Sequence, residues 1–213
     1  KMGDVFQMIQ SGMVSADRVF PLIDQQPAVT DCATPVHLPK GQLSIEFQNI
    51  EFEYEPGTPI LKGVSSKIQA GSSVAILGQN GSGKSTLVNL IPRFFDPTNY
   101  NSNPSGRILI AQTDIHKVRI KELRDRVGYV TQTTMLFGDT IADNIAYGTP
   151  GATREQIVEA AKRAYAHDFI VALEKGYETQ IGERGGNLSG GQSQRISLAR
   201  AILKNPDILI LDE

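Results

Sequence analysis

Apolar residues at Val5, Ile9, Met13, Ala16, Phe20 and Ile23 recur at steps of three or four. That spacing is one face of an amphipathic helix, interrupted near Pro21 and ended by Pro27. Residues 27–42 hold Pro27, Pro35, Pro39 and Gly41 without periodicity and read as an extended linker. From Leu43 the period changes to two. Leu43, Ile45 and Phe47 alternate with polar residues, and so do Ile50, Phe52 and Tyr54, which predicts two strands before the turn Glu55-Pro56-Gly57. Val64, Ser66 and Ile68 suggest a further strand. Val74–Leu77, Val127–Val130 and Ile208–Leu211 are short apolar runs without a polar face, as expected of parallel strands buried on both sides.

Helices are predicted from Lys84 to about Pro92, over Lys121–Asp125, over Arg154–Lys175 and after Ser189. Thr153 and Gln156 stand in capping-box spacing. Arg107–Ile110 reads as a strand, and residues 96–106 as a loop in which 99–104 look like an insertion without assigned function. Strands alternating with helices predict a mainly parallel α/β core.

Gly78-Gln79-Asn80-Gly81-Ser82-Gly83-Lys84-Ser85 fits the pattern G-x-x-x-x-G-K-[ST], entered by an apolar run and left by a helix. Glycines let successive N–H groups turn inward and cup phosphate oxygens without Cβ clashes. The start of the helix adds the positive end of its dipole. Lys84 is placed to neutralise the β- and γ-phosphates and Ser85 to ligate Mg²⁺, with Thr86 next to it. Ile208–Leu211 ends in Asp212 and Glu213, the first suited to hold Mg²⁺ and the second to polarise the attacking water. Leu188-Ser189-Gly190-Gly191-Gln192 opens the last helix. Ser189 and Gln192 are spaced as a capping box, but capping alone does not call for Gly190 and Gly191, which expose N–H groups as a second anion site.

With these three elements in this order, Leu43–Glu213 closely resembles the ATP-binding cassette (ABC) family. The resemblance implies a P-loop NTPase with a mainly parallel core sheet, an N-terminal antiparallel β subdomain and a helical subdomain. It implies ATP and Mg²⁺ as ligands and a head-to-tail partner, a second nucleotide-binding domain whose Ser189, Gly190, Gly191 and Gln192 cover the γ-phosphate. Tyr54 matches the aromatic that stacks on adenine. Gly78, Asn80, Gly81, Ser82, Gly83, Lys84, Ser85 and Thr86 match the phosphate loop, and Ser85, Gln132 and Asp212 match the metal contacts. Lys84, Gln132 and Glu213 match the catalytic set. Thr179–Gly185 and Asp143–Gly148 resemble exporter segments, and the helix within residues 1–42 resembles the link from a transmembrane domain fused N-terminally. The implied place is the cytoplasmic face of a membrane, and the implied work is ATP-driven export. Thr131 stands where proline is commoner, and Gln112 where glycine is commoner.

A net charge of −2 argues against broad attraction to nucleic acid, and no nucleic-acid partner is expected. A stand-alone ATPase subunit, or a DNA-repair or chromosome ATPase of the same superfamily, is the alternative. The latter places a coiled coil between P-loop and signature, yet Leu188 follows Lys84 by only 104 positions, without heptads. The single cysteine, Cys32, excludes an intramolecular disulfide. No run of about 18 apolar residues is present. Beginning at Lys1 and stopping after an apolar strand, the sequence reads as a fragment, of which little hydrolysis is expected alone. The family's switch histidine is expected beyond Glu213, since His37, His116 and His167 all precede the acidic strand and read as surface or packing residues.

Overall fold

The computed structural model describes residues 2–41, 43–100, 106–182 and 187–212. The chain forms two units, Lys1–Thr30 and Asp31–Glu213. The first is the helix α1 (Met2–Ile23), which contains Pro21 rather than stopping there. A proline in the last turn forfeits only one backbone bond, and Asp24 N–H still donates to Phe20 O at 2.9 Å.

The second unit opens with part of the stretch read as a linker. Val36 N–H donates to Lys117 O at 2.7 Å, Leu38 N–H donates to Glu122 Oε1 at 3.0 Å, and Leu38 is buried. Four antiparallel strands follow in the order β2-β1-β3-β4, namely β1 (Ile45–Glu53), β2 (Pro59–Ile68), β3 (Arg107–Ile110) and β4 (Thr113–Asp114). The two strands expected over 43–54 are one. Its alternation changes phase because the register slips between Phe47 and Ile50, where Asn49 takes φ 49°. Ile45 and Phe47 on one side of the slip, and Ile50 and Phe52 on the other, therefore reach the same core. Gly63 lies opposite with φ +81°, and a Cβ there would stand 2.8 Å from Asn49 Oδ1.

Ile110 pairs with Thr113 across a two-residue turn in which Ala111 and Gln112 both have positive φ, 46° and 65°. That is the geometry of a hairpin turn that favours glycine. Left-handed backbone costs a non-glycine residue about 1–2 kcal/mol. Gln112→Gly is therefore expected to raise stability by about 0.5–1 kcal/mol after the entropy of the freer unfolded chain, read as an upward shift of the urea midpoint.

His116 is buried beside this hairpin, its ring stacked on Tyr100 with centroids 3.4 Å apart. Tyr100 and the buried Asn99 thus belong to the packed structure, although they fall in the expected insertion; 101–104 lie outside the described residues. Asp114 Oδ1 lies 3.2 Å from His116 Nδ1. Asp96 Oδ1 lies 3.0 Å from Nε2, a charge contact off the line of a straight hydrogen bond. Burial works against the imidazolium, but the two carboxylates outweigh it and raise the His116 pKa. Burial likewise opposes the Asp96 carboxylate, and His116 and Arg93 outweigh it and lower its pKa to about 2.

The parallel part of the core is β5 (Val127–Val130) paired with β6 (Ile208–Leu211), with Val130 level with Leu211. Two of the expected buried strands differ here. In β6, Ile208 and Ile210 are buried, whereas Leu209 and Leu211 are 45% and 57% exposed, because only one face of the strand is covered. Val74–Leu77 is in neither sheet, and Val74 and Leu77 are 56% and 90% exposed. β5 and β6 pair with each other, so among the described residues no strand is hydrogen-bonded to this run.

The helices α2 (Lys84–Leu90) and α3 (Ile120–Arg126) lie on the strand side. A separate helical cluster holds α4 (Ile141–Ala146), α5 (Arg154–Arg163), α6 (His167–Val171) and α7 (Gly190–Lys204). The single helix expected over 154–175 is two, broken where Tyr165 takes φ 54°. The expected capping box of Thr153 and Gln156 is present at the start of α5. No helix among the described residues is long and apolar enough to cross a membrane.

Candidate active site

The glycine-rich loop runs from Gly78 to Gly83 and ends in α2. Gly81 and Gly83 have φ +80° and +89°, conformations that L side chains rarely adopt. At Gly78 a Cβ would stand 2.7 Å from Ser82 Oγ, and at Gly83 it would stand 2.8 Å from Leu61 Cδ2. The loop is thus fitted against its own serine and against β2, and no side chain at these glycines would leave the curl intact. Asn80 and Gly81 are exposed at its rim. The Lys84 ammonium folds back and donates to Gly78 O and Gln79 O, both at 2.9 Å.

One residue along α2, the Ser85 hydroxyl donates to Asp212 Oδ1 at 2.8 Å. This bond ties the start of α2 to the end of β6, 127 residues later. Asp212 N–H donates to Val130 O at 2.9 Å, so the carboxylate sits where β5 also ends. Gln132 follows two residues beyond Val130, exposed, in a turn closed by Thr131 Oγ1 donating to Thr133 O at 2.8 Å. Glu213 lies outside the described residues.

Tyr129 was not among the residues expected. Its hydroxyl lies 2.8 Å from Asn89 Oδ1 and 3.1 Å from Asp212 Oδ2. Burial, then the Asp212 charge, push its phenol above the ordinary value, so it stays protonated and donates. The sequence carried no signal for it, since the strand is followed by Thr131 and Gln132 and meets Asp212 only through the fold.

Tyr54 is half exposed beyond the end of β1, and Phe52 and Phe95 meet it edge-on at 4.8 and 5.2 Å between centroids. Its hydroxyl is 3.4 Å from Oγ1 of the buried Thr86. An aromatic face held upright beside the loop offers a planar base a stacking surface.

Ser189 caps α7 in a full capping box. Its Oγ accepts from Gln192 N–H at 3.3 Å, and Gln192 Oε1 accepts from Ser189 N–H at 2.9 Å. The serine hydroxyl hydrogen remains available to donate. Gly190 and Gly191 form the first turn, and nothing lies within 4 Å of a Cβ built on either. Packing within the chain therefore does not demand glycine at these positions. Among the described residues no hydrogen bond or ion pair joins Ser189–Gln192 to the loop or to Asp212. The fold brings together Lys84, Ser85, Thr86, Tyr54 and Asp212 and leaves the second glycine pair elsewhere.

The residues just ahead of the Asp143–Gly148 stretch meet the Thr179–Gly185 stretch. Thr140 and Gln180 form an antiparallel bridge, and Ile141 N–H donates to Thr179 O at 3.1 Å. Residues 183–185 of the Thr179–Gly185 stretch lie outside the described residues.

Residues 61–213 match the family profile described as ABC transporter. The chain belongs to the ABC transporter family. An ATP-dependent lipid A-core flippase of Syntrophus aciditrophicus is 50% identical over 213 residues, which is 100% of this chain and 34% of the relative. A provisionally named multidrug export ATP-binding/permease protein of Bacillus subtilis is 50% identical over 206 residues, 96% of this chain and 34% of its own. The solved structure of a bacterial Atm1-family ABC exporter with ATP bound superposes with a TM-score of 0.87 at 44% identity, covering 99% of this chain and 36% of that one. The fold is accordingly the P-loop ATPase fold of ABC proteins, with its antiparallel sheet and helical elements. This member of the ABC family spans about a third of the length of the curated relatives it matches.

The donor set also suits the family's nucleotide. Ser85 and Asp212 supply hard oxygens, and among the described residues no group of three His, Cys, Asp or Glu side chains is arranged for a metal. Few protein ligands, with phosphate and water oxygens completing the shell, is how Mg²⁺ is held with nucleotides.

Proposed function

We propose that this chain is the ATP-hydrolysing domain of a membrane exporter and works on the cytoplasmic face as one of a head-to-tail pair. The observation that carries the reading is the Ser85–Asp212 bond, which joins the phosphate loop's helix to the acidic strand end. The named functions of the relatives support the transport part.

In this reading, backbone N–H groups of Gly78–Gly83 hold the β-phosphate. Lys84 exchanges Gly78 O and Gln79 O for phosphate oxygens, and the base stacks on Tyr54. Ser85, Asp212 and Gln132 would hold Mg²⁺, which would neutralise phosphate charge. Tyr129 donates to Asp212 and fixes its orientation. Glu213 takes the proton of the attacking water while the new oxygen–phosphorus bond forms. The bond from the γ-phosphorus to the bridging oxygen breaks, leaving ADP. Ser189, Gly190, Gly191 and Gln192 of a second copy or a homologous domain cover the γ-phosphate, a contact that the open surface over both glycines permits. Closure drives transport because the covered site exists only in the closed pair, so ATP favours that state. The membrane part would be a transmembrane domain fused ahead of residues 1–42, which serve as its helical link to the ATPase at 43–213.

Glu213→Gln in the complete natural polypeptide tests the reading. It is expected to bind Mg-ATP, hydrolyse it roughly 10²-fold or more slowly and accumulate as a closed ATP-bound pair, detected by cross-linking between the phosphate loop and Ser189. Normal turnover by this variant would sink the proposal.

A further inference from the structure

Arg200 has no part in the chemistry above, yet it is among the most heavily bonded side chains in the helical cluster. It lies on α7, eight residues after Gln192. Its Nε donates to Asn144 O at 2.8 Å, Nη1 donates to Met135 O at 3.1 Å and Nη2 donates to Asn144 Oδ1 at 3.1 Å. The guanidinium also lies 5.6 Å from the ring centroids of both Phe137 and Tyr147, which stack on each other at 4.2 Å. Among the described residues no carboxylate pairs with it. Carbonyl oxygens and ring faces compensate a half-buried cation, and this demands close geometry.

Asn144 extends the grip. It is 1% exposed, and its Oδ1 also accepts from Phe137 N–H at 2.9 Å. Its Nδ2 lies 3.0 Å from both Phe137 O and Thr140 O. The segment Met135–Thr140 is therefore held to α4 and α7 through one arginine and one asparagine. This segment continues directly from the Gln132 turn. At its other end α7 is fixed as well, because Lys204 Nζ donates to Arg124 O at 2.6 Å and to Val127 O at 2.9 Å, where β5 begins. The helix thus grips the entry to β5 at Lys204 and, at Arg200, Met135 and Asn144 in the stretch that follows β5. Its N-terminal end, about 16 Å from Arg200 at 1.5 Å per residue, is the Ser189 cap.

We propose that Arg200 is a positioning residue that couples the Gln132 turn to the Ser189–Gln192 end of α7. When the turn shifts toward nucleotide, Met135 O and Asn144 carry Arg200 with them, and the helix delivers the shift to its first turn. The inference rests on the proposed function, because it assigns the two ends to the two halves of the composite site. A lysine keeps the charge but cannot span three acceptors and two rings at once.

The test uses Arg200→Lys and Tyr147→Leu in the complete natural polypeptide; the second removes only a ring that is 62% exposed and spares the fold. Arg200→Lys is expected to lower kcat about tenfold with KM for ATP changed less than about twofold. Tyr147→Leu is expected to lower kcat about threefold. Amide exchange should accelerate at 131–137 and also at 189–193 in Arg200→Lys. Acceleration confined to 131–137 marks a merely local brace and overturns the coupling, as does unchanged kcat in a folded Arg200→Lys protein. Should Arg200→Lys fail to melt cooperatively, Tyr147→Leu decides, and wild-type kcat and exchange in that variant overturn the proposal. A wild-type protein without ATPase activity would instead sink the proposed function, and the exchange pattern would still test the coupling.

Discussion

Lys84→Ala is expected to cut ATP turnover by roughly 10²–10³-fold. The ammonium is the one cationic side chain in the phosphate loop, and it rests on Gly78 O and Gln79 O, both carbonyls of the loop itself. Two carbonyl contacts at 2.9 Å hold the charge over the cup without a carboxylate to neutralise it, so a triphosphate can draw it away at little cost. Alanine removes the charge, which leaves the developing charge on the γ-phosphate without this cation. Phosphate release measured at saturating Mg-ATP, with calorimetric nucleotide affinity alongside, checks the prediction. Lys84→Arg keeps the charge but not the compact ammonium, and should recover only a small part of the rate. Activity within a few-fold of wild type in the alanine variant would contradict the assignment of this loop.

Gly191→Asp is expected to remove hydrolysis by a similar roughly 10²–10³-fold, for a different physical reason. A Cβ at Gly191 meets nothing within 4 Å, and an acidic side chain in the first turn of α7 suits the helix dipole. The folded chain should therefore be no less stable, and its melting temperature unchanged or higher. Binding of nucleotide to the subunit's own phosphate loop should also be unchanged, because no bond joins the two sites among the described residues. What fails is closure, since the new carboxylate is brought against a γ-phosphate. Mixed dimers sharpen the point: a Lys84→Ala subunit paired with a Gly191→Asp subunit keeps one site free of both changes, and that site alone sets any residual rate. A Gly191→Asp protein with intact turnover would remove the reason for the two glycines.

Much of the site could be read from the sequence because its parts depend on local backbone. The glycine spacing of the loop, the capping pair Ser189 and Gln192 and the carboxylate at the end of β6 are each fixed by a few neighbouring residues, and the structure places them on those elements. Contacts made across long stretches were not legible. Tyr129 joins Asn89 and Asp212, and Arg200 joins Met135 and Asn144; neither pairing leaves a periodic trace. The phase change in β1 was visible as two alternating runs, but alternation cannot distinguish a bulge from a break. The same limit applies to Val74–Leu77. An apolar run says that a segment can be buried, and whether it is depends on what lies beside it. The break at Tyr165 was hidden for another reason, since a positive φ in a residue other than glycine or asparagine has no compositional signature.

The uncovered face of β6 and the exposed run Val74–Leu77 bear on how the polypeptide behaves in a test tube. Val74, Leu77, Leu209 and Leu211 present apolar surface, and among the described residues β6 pairs on one edge alone. Open strands of this kind recruit one another between molecules. At high concentration this polypeptide should self-associate through them while its secondary structure is still native, so precipitation rather than melting becomes the practical limit on storage. Single charges placed at Leu77 or Leu209 would then improve yield without touching Lys84, Ser85 or Asp212.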